Sequence, residues 1–248
     1  MSRIILTAAS RVGRVRSNNE DMVLAYDKFI RSDLYGTEFS TENSDRFVIA
    51  LADGMGGHKA GEVASSDALT NFHFFLNDLP RDLSSEAFQD MLKEWLKSVN
   101  HIIESKGNTD PGMANMGTTF VAVVYYNSNY YWINCGDSRL YRYRQGVLTQ
   151  LTTDHSLNNM LGDHHHSNII TNCIGAGCKD SYLDISNITD DFLSGDVYML
   201  CSDGLNDMIS DEDISFLLSK HLTANQLCEA AIDAGGYDNV SVCVFNVE

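Results

Sequence analysis

The chain has 248 residues, of which 44% are hydrophobic and 21% charged, a composition typical of a soluble globular protein with a sizeable core. Its net charge of −17, from 34 acidic and 17 basic side chains, disfavours nucleic acid and anionic membranes as partners, because both are bound through Lys and Arg. We find no run of 18 apolar residues, no signal-peptide pattern and no C-x-x-C pair, so we expect a cytoplasmic protein with free cysteines. No segment resembles a linker, and we expect residues 1–248 to form a single domain.

Apolar patterning predicts strands and helices that alternate in blocks. Apolar runs predict strands at 4–10, 47–52, 118–126, 130–135, 139–144, 147–151, 197–201 and 240–247, with weaker candidates at 169–174 and 182–188. Apolar residues spaced by three and four predict helices at 62–77, 85–106, 214–220 and between a cap at Thr223 and a stop at Gly235. Residues 31–46 are predicted to be an irregular loop. The blocks favour antiparallel sheets with helices outside them over a doubly wound nucleotide-binding fold.

Acidic residues recur where these strands begin or end. Asp53 and Asp203 each follow an apolar strand and precede a glycine, and Asp238 lies just before the last strand. Further acids at turns are Glu20, Asp21 and Asp137. Any one of them alone is most simply a turn residue, but several carboxylates held near one another need cations. An oxygen-only set of ligands suits Mg²⁺ or Mn²⁺ rather than zinc.

Seven motifs, in this order along almost the whole chain, resemble the metal-dependent Ser/Thr protein phosphatases, the PPM or type-2C family. The resemblance is closest to the bacterial branch, and it implies an α+β fold, a four-layer αββα sandwich in which two central antiparallel β-sheets are flanked by helices on both outer faces. The motifs are Arg16-x-x-Asn19-Glu20-Asp21, Asp53-Gly54-Met55-Gly56-Gly57-His58, Gly117-Thr118-Thr119, Asn134-Cys135-Gly136-Asp137-Ser138-Arg139, Asp154-His155-Ser156, Ser202-Asp203-Gly204 and Asp238-Asn239-Val240-Ser241-Val242.

The resemblance implies a centre of two Mn²⁺ or Mg²⁺ ions at one end of the sheets. Carboxylates and one carbonyl would be the ligands, and either Glu20 or Asp21 would bind directly or through water, which the sequence leaves open. The other implied ligands are Asp53 as the bridge between the ions, the Gly54 carbonyl on one ion, Asp203 and Asp238 on the other, and Asp137 with Asp203 at a third, weaker metal site.

Arg16 is the residue that the resemblance assigns to the substrate phosphate. Taken alone, Arg16 beside Glu20 and Asp21 fits a surface ion pair equally well, whereas in the family's arrangement its planar guanidinium would contact two phosphate oxygens. The implied catalytic residues are Arg16, Asp53 and Asp21. The implied reaction is direct attack on phosphoserine or phosphothreonine by a hydroxide bridging the two ions, without a phosphoenzyme. Expected partners are phosphorylated proteins, including a Ser/Thr kinase and its targets, and we expect a monomer.

The sequence departs from the family pattern in two places. Met55 stands where eukaryotic relatives carry a His that is a candidate general acid, so protonation of the leaving group is left to His58, which fits a packing role better, or to metal-bound water. The flap after Ser156 is short, and its residues 164–166 are three histidines that fit an exposed loop better than a metal site. Asn172 stands where relatives often have Arg. Substrate selection and the geometry of the third metal therefore stay open.

Two other classes of function compete with this interpretation. A catalytically silent relative would act as a binding module, but retention of Arg16, Asp53, Asp203 and Asp238 argues against it. A nucleotide-binding protein would use the glycine-rich turn on phosphates, but that turn lacks the Lys-Ser/Thr of a P-loop.

Overall fold

The computed structural model describes residues 2–56, 59–161 and 169–248, and arranges them as antiparallel sheets and helices. The strands are β1 (Arg3–Arg11), β2 (Met22–Ala25), β3 (Lys28–Ile30), β4 (Leu34–Ser40), β5 (Arg46–Ala52), β6 (Gly54–Met55), β7 (Gly117–Thr118), β8 (Phe120–Tyr126), β9 (Asn129–Cys135), β10 (Arg139–Arg144), β11 (Val147–Gln150), β12 (Ile174–Gly175), β13 (Asp184–Asn187), β14 (Val197–Cys201) and β15 (Val240–Val247). The helices are α1 (Lys59–Asp78), α2 (Ser85–Thr109), α3 (Leu157–Leu161), α4 (Asp203–Asn206), α5 (Asp211–Ser219) and α6 (Ala224–Ala234).

Two six-stranded sheets form the centre of the molecule. One has the strand order β11-β10-β14-β15-β1-β4, and the other has the order β13-β9-β8-β5-β2-β3. The paired strands run antiparallel, and a small third sheet, β12-β7-β6, lies next to the end of β5. None of the helices in the described residues combines the length and apolarity that crossing a bilayer requires.

Each large sheet buries both of its faces. Apolar side chains from the two sheets meet between them, including Leu6 of β1, Ile49 of β5 and Phe245 of β15. Helices α1 and α2 cover the outer face of the β5–β8 sheet, where Phe72 and Trp95 pack in the same cluster as strand residues. Helices α5 and α6 cover the outer face of the β14–β15 sheet. The predicted four-layer αββα arrangement is thus confirmed.

Local sequence signals explain where the helices begin. Ser84 caps α2 by accepting a hydrogen bond from the Ala87 N–H, and Thr223 and Gln226 form a reciprocal capping box at the start of α6. At the start of α5, Ser210 accepts from the Asp213 N–H. Such caps satisfy amide groups that have no partner inside the helix.

The prediction of an irregular loop at 31–46 was wrong. Residues Leu34–Ser40 form the edge strand β4, which pairs with β1. Tyr35 and Phe39 point toward the core between the sheets while their neighbours face solvent, and Gly36, Ser40 and the polar residues around them obscured this alternation. Of the weaker strand candidate at 169–174, the structure contains only the start of β12 at Ile174 and an isolated bridge between Ile170 and Ser156.

Candidate metal and phosphate site

Asp21 and Asp53 lie side by side because their strands pair. Met22 at the start of β2 pairs with Ala52 at the end of β5, so the residues next to them meet at one end of that sheet. The Ser202 hydroxyl, which follows β14 of the other sheet, donates to Asp21 Oδ2 at 2.8 Å. Asp21 is fully buried, and this contact joins the ends of the two sheets at the candidate site.

Asp203 and Asp238 reach the same end through the other sheet. Cys201 pairs with Val242, so that Asp203, two residues beyond Cys201, and Asp238, four residues before Val242, extend from the same edge. A Cβ atom on Gly204 would lie 1.9 Å from the Asn239 carbonyl oxygen. The glycine after Asp203 therefore allows the close backbone approach that places Asp203 near Asp238.

Burial and mutual repulsion raise the pKa values of these carboxyl groups. The pKa of Asp53 lies well above its ordinary value, mainly because the group is desolvated and then because of the charges on Asp21, Asp203 and other nearby acids. Desolvation, with Asp137 and Asp207 nearby, also holds the pKa of Asp203 well above its usual range. Burial raises the pKa of Asp21 to about 6. Carboxylates crowded together in this way repel one another, so the cluster is stabilised when it binds protons or cations.

The cluster fits a hard divalent cation in its chemistry. Asp21 Oδ1 and Asp203 Oδ1 are buried and have no hydrogen-bond partner among the described residues, and buried polar atoms of this kind call for a partner. The donors are oxygens, as Mg²⁺ and Mn²⁺ prefer. In residues 2–56, 59–161 and 169–248, no three His, Cys, Asp or Glu side chains are yet grouped closely enough to hold one ion.

Gly54 and Glu20 face a small gap beside helix α1. A Cβ atom on Gly61 would lie 2.6 Å from Glu20 Oε2 and 2.8 Å from the Gly54 carbonyl oxygen. Both oxygens therefore border one space that exists only because residue 61 lacks a side chain. Desolvation raises the pKa of Glu20. Sequence reasoning missed Gly61, because the predicted helix began at residue 62, whereas the structure places this glycine in the first turn of α1.

Arg16 contacts Asp238 rather than Glu20 or Asp21. Arg16 Nη2 donates to Asp238 Oδ2 at 2.6 Å. The loop that carries Arg16 is held by Asn239, whose Oδ1 accepts from the Glu20 N–H at 2.8 Å and whose Nδ2 donates to the carbonyls of Val12 and Asn18. Sequence reasoning recognised Asn239 only as part of a motif, without this anchoring role.

Asp137 and Asp203 both line a cleft of about 510 Å³. Burial raises the pKa of Asp137 to about 6. The preceding residue, Gly136, donates its N–H to His155 Nδ1 at 3.1 Å, and His155 Nε2 lies 2.9 Å from Asp184 Oδ2. Since Nδ1 accepts, Nε2 carries the proton that is donated to Asp184. Asp184 and His155 thus position the turn that bears Asp137, and sequence reasoning did not find Asp184.

The departures from the family pattern have mixed outcomes. Met55 forms part of β6 and pairs with Gly117, and its side chain has no proton to donate. His58 and the histidines at 164–166 lie outside the described residues. Asn172 is buried and contacts His155 Nδ1 at 2.8 Å and the backbone of Tyr182, so it fastens the segment before β12.

Comparison with known proteins identifies the family. The sequence model of the family described as protein phosphatase 2C matches residues 28–244. The chain is 33% identical over 262 residues to serine/threonine protein phosphatase PstP of Mycobacterium tuberculosis, which covers all of this chain but 46% of that protein, so the chain spans about half of that relative's length. It is 30% identical over 245 residues to serine/threonine phosphatase stp of Listeria monocytogenes, covering 93% of this chain and 90% of that protein.

Solved structures agree with the sequence comparison. The catalytic domain of serine threonine protein phosphatase PstP, solved in complex with two manganese ions, superimposes with a TM-score of 0.76 at 32% identity and covers 100% of this chain and 99% of that one. The described fold and the matches at this level of identity lead to the same assignment. The chain belongs to the protein phosphatase 2C family.

Proposed function

We propose that this domain is a metal-dependent phosphatase that hydrolyses phosphoserine and phosphothreonine in proteins. One observation carries the proposal: Asp21 and Asp203, at the ends of the two sheets, each have a buried carboxylate oxygen without a partner among the described residues. Asp53 lies beside them with a strongly raised pKa. Family membership supplies the reaction that such a site serves.

The residues have separate roles in this proposal. Asp53, the Gly54 carbonyl, Asp203 and Asp238 would hold two Mn²⁺ or Mg²⁺ ions, with Glu20 or Asp21 completing the set and Asp137 with Asp203 holding a weaker third ion. Such ions supply a nucleophilic water of lowered pKa and neutralise charge on the phosphate.

Arg16 binds and orients the substrate. Its guanidinium would turn from Asp238 to two phosphate oxygens. The planar group can donate two parallel hydrogen bonds to these oxygens, which a lysine ammonium cannot do. Arg16 thereby holds phosphorus in line for attack without forming a covalent bond to it. Asn239 keeps the Arg16 loop fixed to β15, so the phosphate and the carboxylates keep a constant spacing.

Several wider properties belong to the same proposal. Residues 1–248 would form one phosphatase domain, which would act as a monomer on phosphorylated proteins, among them a Ser/Thr kinase and its targets. The cytoplasm is the proposed compartment, and the six free cysteines support it, because disulfides are rare in reducing compartments.

Hydrolysis of p-nitrophenyl phosphate with Mn²⁺ tests the proposal. We expect activity that EDTA removes and added Mn²⁺ restores, and we expect Asp53→Asn and Asp203→Asn to abolish it. Asp82→Asn is the matched control, since Asp82 is exposed between α1 and α2. Full activity in either site variant would contradict the assigned roles, and a folded wild type without activity would indicate a silent binding module instead.

A further inference from the structure

A second cleft opens beside Arg16 and carries exposed apolar surface. It has a volume of about 940 Å³, and its lining includes Arg16 and Asp238 together with Val15, Met208 and Tyr237. Val15 is 64% exposed and Tyr237 is 65% exposed. Single exposed apolar side chains are common on proteins, but Val15 and Tyr237 share one cleft with Arg16, the residue proposed to bind the substrate phosphate.

The backbone fixes the two segments that carry this surface. The Arg14 N–H donates to the Gly236 carbonyl oxygen at 2.7 Å. A Cβ atom on Gly13 would lie 2.2 Å from the Asp238 carbonyl oxygen, so the segments 13–16 and 235–238 touch through their main chains. The backbones of the two segments therefore keep a set spacing, so binding between them requires little ordering of the main chain.

Tyr237 and Met208 lie next to each other at the rim of this cleft. A Cβ atom on Gly235 would be 3.1 Å from Tyr237 Cε2 and 3.2 Å from Met208 Sδ. The aromatic ring and the thioether thus border the same space beside Gly235. Aromatic rings and methionine are well suited to contacting apolar side chains of varied shape.

We propose that Val15, Met208 and Tyr237 form a subsite for an apolar side chain next to the phosphorylated residue of a protein substrate. The subsite is continuous with Arg16, so a chain whose phosphate contacts Arg16 places its neighbouring residue on Tyr237. This inference rests on the proposed phosphatase function and adds a preference for particular substrate sequences.

Asp207 also restricts the substrate. It is exposed, lines this cleft as well as the one that contains Asp137, and its carboxylate forms no ion pair within the described parts of the chain. An acidic residue of the substrate would meet this charge unfavourably. Test peptides should therefore contain no Asp or Glu.

The experiment compares two phosphothreonine peptides that differ only at the residues flanking the phosphothreonine. One has Leu on both sides and the other has Asn, which is similar in size but polar. For the wild type with Mn²⁺ we expect kcat/KM to be about fivefold higher for the Leu peptide, as partial burial of one Leu side chain implies. In Tyr237→Ser and in Val15→Ser we expect this ratio to fall below about twofold. Phe216→Ser, which removes an aromatic side chain that is 59% exposed on α5, should keep the wild-type ratio.

Activity on p-nitrophenyl phosphate shows whether a negative peptide result disproves only the subsite or the phosphatase function as well. p-Nitrophenyl phosphate has no flanking residues, so Tyr237→Ser should reduce kcat/KM for the Leu peptide more than for this small substrate. A wild type that hydrolyses p-nitrophenyl phosphate but uses both peptides equally overturns the subsite. Equal losses on all substrates in Tyr237→Ser also overturn it, since they would make Tyr237 a support for Asp238. Absence of metal-dependent hydrolysis of any substrate would instead remove the phosphatase proposal itself.

Discussion

Arg16 Nη2 and Asp238 Oδ2 lie 2.6 Å apart, so the side chain proposed for the phosphate is paired with one proposed for a metal ion. Their side chains are 55% and 36% exposed, and ion pairs this exposed contribute only about 0.2–1 kcal/mol. The pair is therefore weak enough to separate, so that Arg16 can bind a substrate phosphate and Asp238 can bind a metal cation.

Replacing Arg16 should weaken substrate binding. In Arg16→Ala we expect kcat/KM for p-nitrophenyl phosphate to fall about 10- to 100-fold, because charged hydrogen bonds to the phosphate are lost. Arg16→Lys should recover only part of this loss, since an ammonium cannot donate in parallel to two oxygens. The matched control is Arg14→Ala, which removes an exposed arginine paired with Asp233 at 2.8 Å and should keep most of the activity.

The same Arg16→Ala variant should bind Mn²⁺ more tightly. Asp238 no longer has a competing cationic partner, so the dissociation constant measured by titration calorimetry should fall by up to about fivefold. Arg14→Ala should leave this constant near the wild-type value. Weaker Mn²⁺ binding in Arg16→Ala would mean that Arg16 orients Asp238 for the metal rather than competing with it.

The metal-free protein should lose stability as the pH rises. The pKa values of Asp21 and Asp137 are raised to about 6 in the folded protein, so between pH 4 and 6 the folded state binds more protons than the unfolded state does. Their stabilising contribution is complete below the unfolded pKa and is lost as the pH passes 6. In EDTA, urea denaturation should give a higher free energy of unfolding at pH 5.5 than at pH 7.5.

Asp21→Asn tests the source of this pH dependence. The variant should reduce the difference between the two pH values and should stabilise the metal-free protein at pH 7.5 by about 1–3 kcal/mol, while losing Mn²⁺-dependent activity. Asp82→Asn should change neither quantity. An unchanged pH profile in Asp21→Asn would place the titrating group elsewhere.

Filling the gap at Gly61 should disrupt the site. Alanine is normally better than glycine inside a helix by about 1 kcal/mol, but here its Cβ would lie 2.8 Å from the Gly54 carbonyl oxygen. We expect Gly61→Ala to lower the thermal midpoint and to weaken Mn²⁺ binding. Gly36→Ala in β4 is the control, because the nearest atom to its Cβ is 3.7 Å away. A more stable Gly61→Ala protein with normal metal affinity would show that the gap has no role.

His155 should matter for stability even though it is not among the proposed ligands. His155→Phe removes the acceptor of the Gly136 N–H and the donor to Asp184. The buried Gly136 N–H left without its acceptor costs about 1–3 kcal/mol, which should appear in urea denaturation, whereas the Asp184 side chain is 42% exposed and can be hydrated instead. His101→Phe, at an exposed position of α2, should have a small effect. Equal stabilities of the two variants would mean that water replaces the lost contacts.

The sequence was most informative where one chemical pattern dominates. β14 is a continuous apolar run and β15 is apolar except for Ser241 and Asn246, and the predicted bounds of both agree with the structure. β4 was missed because an edge strand needs only every second side chain in the core, and in Leu34–Ser40 the core-facing residues alternate with glycine and charge. Pattern alone cannot distinguish such a strand from a polar loop.

For the site, residue type predicted the kind of ligand but not the contacts. The sequence reveals Asp53, Asp203 and Asp238 because each is an acidic residue at the boundary of an apolar strand. The pairing of Arg16 with Asp238, and the support that His155 gives to the turn of Asp137, join residues far apart in the chain. Such contacts depend on strand register, which no local signal encodes.

The position of β15 between β14 and β1 also constrains how the molecule can be made. Of the strands in its sheet, β15 is the last to be synthesised, yet it lies at the centre of the sheet and pairs with the first strand. Pairing across such a long sequence separation is slow to form. A nascent chain that stops before Asn239 leaves one side of β14 and one side of β1 unpaired, and its Arg16 loop lacks the Asn239 side chain that holds it. Catalytic competence should therefore appear abruptly, with the final strand, rather than grow with chain length during translation.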